Sequence, residues 1–297
     1  MRAFFFKTIA VLGIVLLIDI IVGVVSDMVF LNLSDKISQI GTISQTLLRK
    51  KSDVVILGAS GAKYQYNCKI LSDSLNLEVQ NTGVKGMRAV YFDVVLQSYL
   101  ERCVPQMVVI DVIGELDAGL GLFPRVKPFY GINKPVTEYY DRESDWQQKM
   151  KLKSSLYRYN ETLDLLVRHV FNDKNLTNGF AVKTTSTGRI DTVVVSQFCP
   201  DSIQLRHLNN VVNLCHHHHI QMVMVLSPRR VHNRAGEQWF TDYCKENGIV
   251  LINELHVPVY YERDDVFFDE SHLNGTGADI FSARIASYLK AILINKE

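Results

Sequence analysis

The chain has 297 residues, 47% hydrophobic and 21% charged, with a formal net charge of +1. That is a globular composition, and it gives no electrostatic basis for binding nucleic acid, which needs a surplus of basic groups. Five cysteines (Cys68, Cys103, Cys199, Cys215, Cys244) are scattered without a C-x-x-C pair, so metal-ligand spacing is absent; an odd number outside the cytoplasm leaves at least one unpaired, and a disulfide among the rest is open but unassignable.

The N-terminus carries Arg2 and Lys7, then an apolar run from Thr8 to Val25 broken by one charge, Asp19. Its length approaches that needed to cross a bilayer and exceeds a usual signal-peptide core. Residues 1–26 are therefore read as a transmembrane anchor, with a signal peptide cleaved near Val24–Ser26 as the rival. Basic residues before the run, and Asp27 and Asp35 after it, orient a single-pass protein of the cytoplasmic (inner) membrane with its body outside the cytoplasm. Asp19 is costly in lipid, and reads either as a contact with another membrane protein or as a tolerated, snorkelling group.

Leu33, Ile37, Ile40, Ile43 and Leu47 recur at helical spacing behind a candidate cap, Ser34, and make residues 27–50 a helical stem. Short apolar strands are expected at Asp53–Leu57, Leu77–Asn81, Met107–Val112, Ile220–Leu226 and Ile249–Ile252. Helices are expected between and after them, at Ala89–Glu101, Ile203–Cys215, Gly236–Asn247 and Ala278–Leu293. This alternation predicts an α/β fold, a three-layer sandwich around a mostly parallel five-stranded sheet. The domain would occupy residues 51–297, interrupted by an insertion at about 117–200. That insertion carries Pro124, Pro128 and Pro135, many aromatics and a helical pattern over Ser144–Phe171. Lying after a strand's carboxyl end, it reads as a lid or recognition cap, or as aromatics packing an irregular loop.

Two segments carry chemistry. The first strand ends at Gly58-Ala59-Ser60, which presents a hydroxyl, and Asp269 precedes His272 by three residues just before the last helix. A serine alcohol needs a base to take its proton, and an imidazole works better as that base when a carboxylate orients it. The competing phosphate loop of dinucleotide-binding folds fits less well. Tyr64 stands where its last glycine packs helix on strand, and the second strand ends in Gln80-Asn81 with no acidic residue for a ribose.

Three blocks then resemble the SGNH/GDSL hydrolase superfamily, especially its membrane-anchored Bacteroidota members, over roughly residues 50–295. These are the stretch from Gly58 through Ser60 to Tyr64 and Tyr66, then Asn81-Thr82-Gly83-Val84-Lys85-Gly86, and last the stretch from Asp269 through His272 to Asn274. Ser154–Asn160 is similar as well. The resemblance implies a flavodoxin-like SGNH fold in which Ser60 attacks an ester, His272 takes its proton and Asp269 orients the ring. The N–H groups of Ser60 and Gly86 would form an oxyanion hole, with Gly83 serving the turn. It implies no cofactor, and O-acetyl esters of envelope or dietary glycans as substrates.

The chain departs from the family in two places. Where a third oxyanion donor, an asparagine, is usual, it has Glu115, so either another donor such as the Asn81 side chain substitutes or turnover is weak. Gly61 stands where many anchored relatives carry arginine. A non-catalytic glycan-binding or scaffold domain, or an O-acyltransferase of envelope polysaccharide, is the alternative. Glu115 and Arg229 are the candidate substrate contacts, with Lys85 and Arg230 read as solvated or ion-paired. His216–His219 read as a helix end rather than a metal site, because consecutive helical residues diverge.

Overall fold

The computed structural model describes residues 1–32, 39–112, 116, 124–163, 192–194, 197–263 and 265–294. The chain forms two compact units, one of residues 1–48 and 123–175, the other of residues 49–122 and 176–297.

The larger unit is built on five parallel strands, β1 (Val54–Leu57), β2 (Val79–Asn81), β3 (Met107–Asp111), β5 (Gln221–Leu226) and β7 (Val250–Asn253), in the order β2-β1-β3-β5-β7. The central strands β1 and β3 are buried at every position, as expected of a sheet covered on both faces. Val54, Ile56, Val109, Val223 and Val225 form one core with Leu71, Phe281, Ile285 and Leu289. The α/β sandwich and its five-stranded sheet agree with the sequence expectation to within one or two residues per strand. A second pair, β4 (Thr192–Val194) with β6 (Val231–Asn233), has only three residues per strand, too short for a period to register in sequence.

The helices of the smaller unit are α1 (Arg2–Asn32) and α2 (Gln39–Leu48), followed in the insertion by α6 (Lys134–Glu143), α7 (Trp146–Leu152) and α8 (Ser155–Tyr159). The larger unit holds α3 (Ser60–Gln65), α4 (Cys68–Leu75), α5 (Ala89–Leu100), α9 (Ser202–His217), α10 (Arg234–Glu246), α11 (Pro258–Tyr261) and α12 (Gly275–Ile294). Of these, α1 is long and apolar enough to cross a membrane. Helix α2 buries Ile40, Ile43 and Leu47, while Leu33, Ser34 and Ile37 lie outside the described residues.

The single helix expected over Ser144–Phe171 is corrected to two. Asp145 caps α7 by accepting from Gln148 N, and Ser154 interrupts the helix by accepting from Tyr157 N to start α8; residues 164–171 lie outside those described. The irregular aromatic loop is corrected in part, since Tyr139 and Tyr140 sit buried on α6, which Asn133 caps through Val136 N. Helix α12 begins three residues before the expected Ala278, because Asn274 Oδ1 accepts from Gly277 N at 3.0 Å. All five cysteines are free, and burial pushes the thiols of Cys68, Cys215 and Cys244 up to about 12.

Candidate active site

The fully buried β1 delivers the chain to Gly58, and Ser60 opens α3 at the strands' carboxyl edge. The glycine block after β2 packs directly on this turn. A Cβ on Gly83 would sit 2.6 Å from the backbone nitrogen of Lys63, so only glycine admits the approach. Gly86 adopts φ +79°, in the left-handed region. Asn81, fully buried, ties the two segments together. Its amide donates to the carbonyls of Ala62 (2.7 Å) and Tyr66 (3.3 Å), and its Oδ1 accepts from Gly83 N at 2.8 Å. Both amide hydrogens are thus committed to structure. Gly83→Ala should lower stability by about 1–3 kcal/mol, the usual cost of overpacking against an unyielding neighbour, readable as a fall in thermal midpoint.

The imidazole comes from a tight loop near the C-terminus. Phe267 and Leu273 form an antiparallel bridge, and Phe268 N donates to His272 O at 2.8 Å, leaving 269–272 as the tip. In that tip Asp269 Oδ1 accepts from Ser271 N at 2.8 Å and lies 2.8 Å from His272 Nδ1, with Oδ2 at 2.9 Å. The three-residue spacing is the geometry of this turn. Since an ionised carboxylate only accepts, the arrangement assigns the proton to Nδ1 and makes Nε2 the basic nitrogen. The His272 side chain keeps 15% of its surface exposed.

Helix α3 is clamped to that loop. Gln65, fully buried, donates from Nε2 to Ser271 O (3.2 Å) and Pro228 O (3.5 Å). Tyr64 sets its ring edge-on to His272 with centroids 5.3 Å apart, and burial together with the nearby Asp269 charge raises its phenol above the ordinary range. Tyr64 lies one helical turn after Ser60, on the same face of α3, so the imidazole stands beside the helix that the serine opens. No hydrogen bond joins Ser60 to His272 among the described residues. Such bonds often tighten only when substrate is present.

Against the turn that carries Ser60 lies a buried carboxyl. Asp111 ends β3, its Oδ1 accepts from Ser227 Oγ at 2.9 Å, and its Oδ2 has no hydrogen-bond partner among the described residues. That oxygen would be 2.8 Å from a Cβ on Gly61. A side chain at that position would have to displace the Asp111 carboxyl. Burial raises the Asp111 carboxyl to about 6, against a lowering by the Arg229 charge and the Ser227 hydrogen bond.

Arg229 is thus a half-buried counter-charge to Asp111. The fully buried Arg230 spreads over the Phe267 ring at 4.5 Å, and its backbone N donates to Glu270 O, supporting the loop that carries His272. Glu115 lies outside the described residues. His216 and His217 end α9, His218 caps it, and no group of three metal-ligating side chains exists among the described residues. A second imidazole–carboxylate pair, His207 with Asp93 at 2.6 Å, is buried at 3% and 2% exposure and has no access for a substrate.

Comparison with known proteins gives little more. No family model matches the chain, and no curated protein matches it. Among solved structures, one similar to this chain is assigned to the lipolytic G-D-S-L family, from Desulfitobacterium hafniense DCB-2. Its TM-score is 0.42 at 12% identity, covering 79% of this chain and 97% of that one.

Proposed function

We propose that the protein is an SGNH-type serine esterase, single-pass in the cytoplasmic membrane through α1, with its larger unit outside the cytoplasm. The observation that carries this reading is the Asp269–His272 pair standing against the helix that Ser60 opens. Ser60 Oγ adds to an ester carbonyl as its proton passes to His272 Nε2. The resulting imidazolium is held by Asp269, and the same proton then goes to the departing alcohol. Water repeats the sequence on the acyl-enzyme. The N–H groups of Ser60 and Gly86 receive the oxyanion, and Glu115 and Arg229 are the proposed substrate contacts. The acyl group proposed is an O-acetyl or similar short ester on a glycan.

One observation favours a second reading. With the Asn81 amide engaged, the oxyanion hole rests on two donors, and loss of one donor costs about 10²–10³ in rate. A domain that binds acylated glycan without turnover tolerates this better than a fast hydrolase; an acyltransferase, which needs the same oxyanion hole, differs from the hydrolase only in the acceptor.

A fluorophosphonate probe tests the proposal. Wild-type protein should be labelled and Ser60→Ala should not, while His272→Ala should be labelled far more slowly. Folded wild type that resists labelling would favour the binding domain. Mass analysis with a glycan acceptor then separates acyl transfer from hydrolysis.

A further inference from the structure

One face of α1 is not turned to open surroundings. Asp19, Val22, Gly23, Ser26 and Asp27 form a covered stripe at helical spacing, and α8 covers it. Asp19 Oδ1 accepts from Ser154 Oγ at 2.6 Å and Leu156 N at 2.8 Å, and its Oδ2 accepts from Ser155 N at 3.1 Å. Tyr159 bonds Asp27, one α8 turn further on. A Cβ on Gly23 would run into Ser155, so glycine lets the two helices touch. The aspartate inside the apolar segment is therefore engaged within its own chain.

This contact fixes the depth of the insertion relative to a bilayer. A hydrocarbon core of about 30 Å takes about 20 residues of helix. One that starts near Phe4 ends near Gly23, which leaves Asp19 about one turn inside it. The start of α8 then sits at the membrane boundary, and α7 precedes it by only Lys153 and Ser154. Outside α1, Trp146 and Met150 are the large apolar side chains left exposed among the described residues of this unit, at 72% and 56%. They are one turn apart on α7, and Lys149 and Lys153 fall on the same side of the helix.

We infer that α7 is an interfacial helix: it buries Trp146 and Met150 at the headgroup–acyl boundary of the membrane that α1 crosses, and sets Lys149 and Lys153 on anionic phospholipid headgroups. Tryptophan suits this level, because its ring is apolar and its N–H polar. The inference rests on the reading of α1 as a retained membrane helix and is independent of the chemistry at Ser60.

The test uses the full chain with Trp239→Phe, which leaves Trp146 as its one tryptophan. The protein is reconstituted into phosphatidylcholine vesicles with and without phosphatidylglycerol. Lipids brominated near the headgroup end of the acyl chain should quench Trp146, and acrylamide should not. Because a basic side chain beside an anionic surface favours docking about fivefold, Lys149→Glu with Lys153→Glu should shift Trp146 toward acrylamide quenching in anionic vesicles. If the protein resists alkaline carbonate extraction yet acrylamide quenches Trp146 and brominated lipid does not, the interfacial helix is overturned while the anchor stands. Quenching by brominated lipid that ignores both the anionic lipid and the lysine reversals overturns the headgroup contact. Release of the protein by carbonate overturns the anchor, and this inference with it.

Discussion

Asp269→Asn is expected to lower kcat/KM for a model ester such as p-nitrophenyl acetate by about 10⁴, the effect typical when the orienting carboxylate of such a triad becomes an amide. An asparagine oxygen still accepts from Ser271 N, so the turn survives. Its NH₂, however, takes the Oδ2 place 2.9 Å from His272 Nδ1, competes with the remaining oxygen and stabilises the tautomer in which Nδ1 accepts. The ring proton moves to Nε2, where the base must be unprotonated to take a proton from Ser60. The loss should therefore fall on kcat and on the rate of fluorophosphonate labelling, with KM nearly unchanged. The Asp269 side chain is 36% exposed, so thermal stability should barely move. An Asp269→Asn protein that cleaves ester at the wild-type rate would exclude this imidazole as the general base.

Much of the framework was legible in the sequence because its determinants are local. The runs Val54–Leu57 and Met107–Asp111 are apolar and β-branched, which suits strands buried on both faces. Asp269 and His272 meet because they lie in one tight turn, so their spacing alone carries the pairing. What the sequence concealed depends on residues far apart in the chain. Ser154 ends α7 and starts α8 where Asp19 binds it, a contact spanning 135 positions. Gln65 reaches Ser271 across 206 positions, and no pattern in either neighbourhood marks the bond. His207 and Asp93 form a pair as short as the one at His272, yet only three-dimensional packing makes one inaccessible and leaves the other open. Asp111 could be read as the end of a strand, but its burial depends on Ser227 and on the bare backbone of Gly61.

Asp111 gives the second large expectation, a stability that falls as pH rises through the acid range. Its carboxyl is held at about 6 in the folded protein, whereas an unfolded aspartate titrates near 3.8. The folded state therefore binds the proton more tightly. The stability this confers is complete below about pH 3.8 and is lost as pH rises through about 6. A difference of roughly two units, at about 1.4 kcal/mol each, makes the loss about 3 kcal/mol. Asp111→Asn removes the titration and keeps an oxygen for Ser227, so the variant should lack this fall. Denaturant midpoints of the two proteins, measured between pH 4 and 7, should diverge toward neutrality in favour of the variant. Parallel curves across that window would mean that the Asp111 carboxyl titrates near its ordinary value and is solvated or paired in solution. Because Asp111 Oδ2 lies against Gly61, beside Ser60, its ionisation also brings negative charge near the developing oxyanion. Asp111→Asn should therefore match wild-type esterase activity at pH 5, where Asp111 is mostly neutral, and exceed it at pH 8.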